Sequence, residues 1–400
     1  MKPEVKRLLT AINTEGEEAL QNLVFPNPRQ EDWKYLDLTP LKEIPWQMGR
    51  AFTGADYQFI PEAQYALCFS NNVFQPDRSV FCEKDLLVLG SVEETASNFG
   101  HLISAHLGQH TDSKDFFTQL NSRSCQDLAF IYCPPDYREA PVINFHYHSQ
   151  GHHALSHPRS LVLLAPHTQL TIVEIYSGNE EVYWSNSVTE IYLGEQAQLT
   201  HIILQEQGKS AFHTKTTRVT QGKNSFYHLQ TIDLGAYLSR HNLHIRHQGD
   251  STSTTVQGLV TIGANQSADT HSTIFHNHPE GRSNQLHKCI LQDHSHGIFN
   301  GRICVSKEGQ MTDARQMSRN LLLSPHARID TKPQLEIVAD NVKCSHGATV
   351  SQLDRDEQFY LQSRGIDLAT AKNLLTQGFA GEIIKEIPIR SVRERLFRLS

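Results

Sequence analysis

The chain has 400 residues and a formal net charge of -7, enough for two or three domains and too mildly acidic for a broad nucleic-acid-binding surface. No stretch approaches the ~18 uninterrupted apolar residues of a membrane span, and Met1–Arg7 is followed by no apolar signal core, so a cytoplasmic protein with neither membrane nor nucleic acid as partner is expected. The seven cysteines, Cys68, Cys82, Cys125, Cys133, Cys289, Cys304 and Cys344, are odd in number and contain no C-x-x-C, which argues against a disulfide framework and against a self-contained zinc or four-cysteine cluster site.

Val5, Leu8, Leu9 and Ile12 recur at helical spacing and Ala19, Leu20 and Leu23 continue the pattern, so the first segment is predicted helical. Phe25-Pro26-Asn27-Pro28 breaks it. Residues to about 135 are mixed, with a short strand predicted at 86–89 and a helix at about 97–107. From about Pro141 the texture changes to short alternating apolar runs bounded by Gly, Asn, Asp or Ser, continuing to about Val350. That is the pattern of a sandwich, a barrel or a β-solenoid. No crisp repeat motif separates these, so a solenoid here would have degenerate turns.

Helical periodicity returns after Leu353. Asp354 and Glu357 resemble a capping box. Gly365 is expected to end that helix, and Asp367 to cap the next, which carries Leu368, Ala371, Leu374 and Leu375; Gly378 is expected to close it. A further turn or two over 380–387 stops before Pro388. The last segment puts Val392, Leu396 and Leu399 on one face, with Arg390, Arg393, Arg395 and Arg398 elsewhere, as a solvated face or a docking surface. Three regions follow: 1–135 helical and mixed, 136–352 a β core, 353–400 helical.

The chemistry concentrates in two stretches. Leu335, Ile337 and Ala339 share one strand parity, Asp340-Asn341 turns the chain, and Val342, Cys344, His346, Ala348 and Val350 then line one face. A thiolate and an imidazole two residues apart on one face can reach one iron atom, but two ligands do not close a site. On an apolar face both residues are more ordinarily packing groups, and this face reads as core, sheltered from solvent. The second stretch holds six histidines between His271 and His296. His276 and His278 form an H-x-H on a predicted strand, a weak metal motif that a polar strand face explains equally. There is no H-E-x-x-H, no G-x-S-x-G and no Walker A motif, so no ATP site and no catalytic nucleophile are expected. The competing reading is a β-helical or cupin-like metal-dependent enzyme using residues 271–296.

The blocks Gly297-Ile298-Phe299-Asn300-Gly301-Arg302-Ile303, Thr312-Asp313-Ala314-Arg315-Gln316, Asn320-Leu321-Leu322-Leu323-Ser324, Thr331-Lys332-Pro333-Gln334-Leu335-Glu336-Ile337, Val342 to Thr349 and Tyr360-Leu361-Gln362-Ser363-Arg364-Gly365-Ile366 closely resemble the SufB/SufD family of iron–sulfur cluster assembly proteins. Glu31-Asp32-Trp33-Lys34-Tyr35 resembles that family's E-x-W-K/R-Y element. His346-Gly347-Ala348-Thr349 and the chain length resemble the SufD branch rather than SufB. Lys288-Cys289 and Met311 depart from the usual pattern, away from 343–349.

The resemblance implies a mainly β fold, a right-handed parallel β-helix core flanked by N- and C-terminal helical regions. It implies a non-enzymatic scaffold that pairs with a SufB-like scaffold and binds a SufC-like ATPase through residues 354–399, among them Tyr360, Arg364, Gly365, Phe379 and Arg393. It also implies a transient Fe–S cluster shared with the SufB partner, with His346 as ligand and Cys344 the secondary candidate. A reduced flavin in the complex and a homodimer of the isolated chain are left open.

Overall fold

The computed structural model describes residues 25–80, 87–109, 115–135 and 137–399. The helix predicted over 5–23 lies outside the described residues. From Val142 the chain alternates strand by strand between two sheets, each step bringing it back one coil further along, about thirty residues later. The result is a parallel β-solenoid. The first sheet runs from Arg159–Leu164 through Trp184–Leu193, Phe212–Gln221, Leu238–His247, Ser267–His276 and His296–Val305 to Arg328–Ile337. The second runs from Val142–Ser149 through Gln169–Gly178, Gln198–Gln205, Phe226–Asp233, Ser253–Ile262, Arg282–Leu291 and Asp313–Leu322 to Lys343–Ser351. Shorter strands at Tyr65–Ser70 and Ala129–Cys133 prolong the two sheets at the N-terminal end. Sandwich and barrel are thereby excluded.

Register is maintained from coil to coil. Tyr227, Thr254, Ser283, Ala314 and Cys344 stack in one inward column, and Val256, Gln285, Gln316 and His346 in the next. The absence of a sequence repeat has a backbone explanation. His167, Gln196, Asn224, Ser251, Glu280 and Met311 occupy the same corner in successive coils, all at positive φ. Each donates its N–H to a carbonyl of the following coil's corner, as Asn224 does to Asp250 and Met311 to Asn341. Six residue types serve one left-handed position because the inter-coil hydrogen bond, not the side chain, holds it there.

The N-terminal half of the interior is apolar, with Phe69, Ile131, Phe145, Ile172, Ile191, Leu199, Leu243 and Ile274 in one cluster. Each such side chain contributes roughly 1.5–3 kcal/mol by leaving water. Embedded beside it is an ionic node. Lys215 Nζ donates to Glu174 Oε2 at 2.6 Å, Thr189 Oγ1 at 2.8 Å and Tyr176 OH at 2.9 Å, satisfying all three donors. Burial works against the Glu174 carboxylate, yet the Lys215 ammonium holds it ionised well below the usual range.

Helices cover the outer faces. Helix α1 (Val92–His106) packs on the first sheet, burying Val92 and Ile103 against Leu161 and Leu163. Ser91 caps it in a capping box with Glu94. Helix α2 (Phe116–Ser124) packs Phe116 and Phe117 against Trp184 and Phe212 of the same sheet. At the other end of the chain, α3 (Arg355–Ser363), α4 (Leu368–Ile384) and α5 (Arg390–Leu399) follow the last strand. Asp354 and Asp367 cap α3 and α4 through their carboxylates, as their side-chain chemistry demands. Gly365 takes φ +84° between them. The expectation that Gly378 ends a helix is overturned: α4 runs through it to Ile384. Packing decides this, because Ala380, Ile383 and Ile384 on the far side of Gly378 bury against Ile202, Leu204, Ile232 and Ile290 of the second sheet, outweighing the roughly 1 kcal/mol helix penalty of one glycine.

Burial pushes His146, His157, His213, His244 and His287 down to about 3 and His276 to about 4. These groups stay neutral in the fold while the unfolded chain takes up protons below its ordinary 6.5, so stability present above pH 6.5 is lost as pH falls toward 3–4. Asp127 and Asp233, raised to about 7 by burial, act in the opposite sense, but they are two against six. Thermal unfolding followed by circular dichroism should therefore show a Tm that falls from pH 6.5 to 4. A Tm unchanged across that interval would contradict the buried, neutral histidines.

Candidate functional site

The strand Lys343–Ser351 is the last of the second sheet, and Arg328–Ile337 is the last of the first. Each pairs on one side only, with Asp313–Leu322 and His296–Val305 respectively. In a parallel ladder, alternate N–H and C=O groups point to either side. Two edges of nine and ten residues therefore carry unmet backbone groups at the C-terminal end of the solenoid, a feature that proteins usually cover or break.

Cys344 and His346 sit on this terminal coil. Their register partners Ala314 and Gln316 are buried inward-facing residues, so both point along the inward side of their strand, as the parity requires. The expectation that they are sheltered is overturned. His346 is exposed and Cys344 half-buried. The reason is positional: an inward side chain is enclosed only when another coil lies beyond it, and this coil is the last. The same exposure affects Ile337 and Val350, apolar residues on the inward parity that are 39% and 53% exposed. Burial pushes the Cys344 thiol above its ordinary range, which keeps it protonated at neutral pH. Behind His346 the column is polar and closed: Gln316 donates to Gln285 Oε1 at 2.8 Å, and Gln285 to Ser272 Oγ at 2.8 Å.

The histidine-rich stretch disperses. His276 points inward, its Nε2 2.9 Å from Ser283 Oγ, while His278 lies in the following turn, half-exposed and 3.4 Å from Asp250. The strand ends at His276, so the H-x-H does not present two ligands on one face, contrary to the sequence expectation. His271 pairs outward with Asp269, His287 stacks inside on Phe299, His294 stacks on His326, and His296 pairs with Asp330. Among the described residues no group of three or more His, Cys, Asp or Glu side chains converges to hold a metal ion.

The C-terminal helices form a second feature. Lys288, buried on the outer face of the second sheet, donates to Glu382 and to the Phe379 carbonyl at 2.8 Å, with its ammonium 4.3 Å from the Phe379 ring centroid. Arg319 joins Glu382 at 3.1 Å, Arg395 pairs with Glu206, and Ser391 N donates to Glu62 at 2.9 Å. Phe379 thus faces its own chain, as does Arg393, which donates to the Ile387 carbonyl. Tyr360 is 58% exposed beneath the Arg364 guanidinium, and Phe359 is 72% exposed. Sequence reasoning assigned Ile337 and Val350 their strand faces without foreseeing their exposure, and missed Phe359 and the clamp of Lys288. The first three carry the signal of apolar residues lying next to the break where strand periodicity ends; Lys288 carries that of a lysine between Leu286 and Ile290 on one strand face.

Comparison with known proteins matches residues 146–379 to a family model described as the SufBD core domain of SUF-system FeS cluster assembly. An iron–sulfur cluster assembly SufBD family protein of Synechocystis is 39% identical over 95% of this chain and 87% of its own length. The chloroplastic protein ABCI7 of Arabidopsis thaliana is 38% identical over 73% of the chain and 64% of its own length. The iron–sulfur cluster assembly protein SufD of Escherichia coli is 27% identical over 97% and 92%.

Because His346 is exposed, His346→Ala should change the unfolding free energy by no more than about 0.5 kcal/mol. Urea denaturation measures this directly; a loss above about 2 kcal/mol would make His346 a structural residue.

Proposed function

The chain belongs to the SufB/SufD family of the SUF iron–sulfur cluster assembly system, and from that premise we propose that it acts as a scaffold subunit whose C-terminal coil is completed by a SufB-like partner. The observation that carries this reading is the uncovered solenoid end. It combines two unpaired strand edges, exposed inward apolar residues and an accessible imidazole at one place. A second β-structured scaffold supplying its own strand edges would satisfy the backbone groups and bury Ile337 and Val350. His346 would then lie at the junction, where one ligand from this chain and others from the partner can close around a nascent cluster. The cluster is cargo, built and passed on, and two donors from this chain alone leave its coordination incomplete. Cys344 is the secondary ligand, needing a nearby cation or iron to lower its thiol.

A SufC-like ATPase is the proposed partner of α3 and α4, where Phe359, Tyr360, Leu368 and Leu374 are exposed. The clamp of Lys288 on Glu382 and Phe379 ties those helices to the sheet whose last strand carries His346. A movement imposed on α4 would therefore be transmitted to the solenoid rather than absorbed by a linker. On this reading the protein acts without turnover of its own in the cytoplasm. A reduced flavin is a candidate for the assembled complex, and the open end also permits a homodimer of the isolated chain.

Co-expression with SufB- and SufC-like partners tests the proposal. His346→Ala should give a complex of normal composition whose cluster content, read by iron and sulfide analysis, falls at least about tenfold, the scale of a lost metal ligand. Val350→Lys should weaken pairing with the SufB-like partner while leaving the isolated chain folded. Normal cluster yield from His346→Ala would remove the ligand assignment, and normal pairing by Val350→Lys would remove the end-on docking.

A further inference from the structure

The outer face of the first sheet carries a cavity of about 380 Å³ that neither the cluster site nor the C-terminal helices use. Its floor is set by register. Arg218, His244, Thr273 and Arg302 stand in one row across four neighbouring strands, about 4.8 Å apart. Arg246 is the next outward residue after His244 and lies over Phe275, 5.6 Å from its ring centroid. Asn242, His271 and Asn300 form the parallel row on the other side. The wall is built by Asp32 and Trp33, the middle of the E-D-W-K-Y segment near the start of the described chain, with Asp115 as a further lining residue.

The segment is held there by Arg240. Its guanidinium stacks 4.0 Å from the Trp33 ring centroid, donates to the Asp32 carbonyl at 2.9 Å and pairs with buried Asp269. Arg240 is therefore committed to structure. Arg246 and Arg302 are differently placed, while Arg218 is buried and keeps partners of its own, Asp115 among them at 3.7 Å. Asp32 is 3.9 Å from Arg302, longer than a hydrogen bond, and Glu336 is 3.3 Å from it. Arg246 has no carboxylate within ion-pair distance among the described residues. The local field is positive at the floor: after burial, the groups that push His244 down to about 3 are Arg218, Arg246, Arg240 and His271.

We propose that this cavity binds a small phosphate-type oxyanion, held by Arg218, Arg246 and Arg302, with Thr273 and Asn300 as neutral hydrogen-bond donors. Guanidinium groups present planar forks of N–H donors that match tetrahedral oxyanions, and three of them around one concave floor suit a multiply charged ligand. The carboxylates of Asp32 and Asp115 on the lining disfavour an extended polyanion, which fits the chain's mild net negative charge. The volume leaves room beyond the phosphate itself for the organic part of a small ester. The E-D-W-K-Y segment thereby acquires a role besides packing, since it closes one side of the site.

Isothermal titration of the full chain with inorganic phosphate, pyrophosphate and glycerol phosphate, at constant ionic strength set with chloride, tests this. Saturable one-to-one binding is expected, with Kd raised at least about tenfold in Arg246→Gln and in Arg302→Gln, the scale of one charge-assisted contact. Arg246 is exposed, so Arg246→Gln should keep the wild-type Tm in phosphate-free buffer and report binding alone. Inorganic phosphate binding as tightly as the ester supports the free ion as ligand, and tighter binding of glycerol phosphate supports an ester. No saturable binding below about 10 mM, a free energy of association under roughly 3 kcal/mol, or equal binding by the Arg246→Gln, Arg302→Gln double variant overturns the proposal.

Discussion

Every coil of this protein is completed by its neighbour. A parallel strand in a solenoid has no hairpin partner, so half of its backbone groups are met by the coil before and half by the coil after. Within the stack that condition is satisfied, and it even fixes corner residues as different as Asn224 and Met311 in one left-handed conformation. At the last coil it fails, because among the described residues no further strand pairs beyond Arg328–Ile337 and Lys343–Ser351. The unmet edges, the exposure of Ile337 and Val350 and the accessibility of His346 are one consequence seen three ways.

The interior shows how the stack is kept in register before that end is reached. A row of identical apolar residues would tolerate slippage, since a shifted aliphatic column still buries. The Lys215–Glu174 node does not: an ammonium with three matched acceptors has one arrangement that leaves no charge unpaired, and breaking such a buried pair costs about 3–5 kcal/mol. Polar columns continue toward the C-terminal end through Gln285 and Gln316. Near His346 the interior holds this hydrogen-bonded column beside a small apolar cluster of Ile303, Val305 and Ala314. A wettable interior at the open end is compatible with an accessible ligand in a way that an aliphatic one would not be.

The two outer faces have different duties. The second sheet is covered by α4 and α5 through an aliphatic contact locked by Lys288, Arg395 and Ser391, so helices and coils form one mechanical body. The first sheet is covered by α1 and α2 over its N-terminal part, and Leu36, Leu38 and Leu41 pack on Trp184, Phe212, Leu238 and Ile298 of its outer face. Beside that apolar row the outward positions include Arg218, His244, Arg246, Asn242, His271, Asn300 and Arg302, and the segment around Trp33 folds back over them.

The sequence by itself determined the strand-rich region from about 142 to 350, the capped helices after Asp354 and the shared side of Cys344 and His346. Each of these rests on local periodicity or on a side chain bonding its own backbone, and local rules are legible in order along a chain. Gly378 marks the limit of such rules, since its helix continues on the strength of contacts with strands far earlier in the chain. The resemblance of the blocks from Gly297 to Ile366 named the family, and the comparisons agree. Strand periodicity left sandwich, barrel and solenoid open; the resemblance pointed to a parallel β-helix, and the structure bears that out. Tertiary structure alone decided that His276 and His278 part company and that His346 faces solvent. Parity states which side of a strand a residue takes; whether that side is closed depends on a coil beyond it, and the last coil of a stack has none.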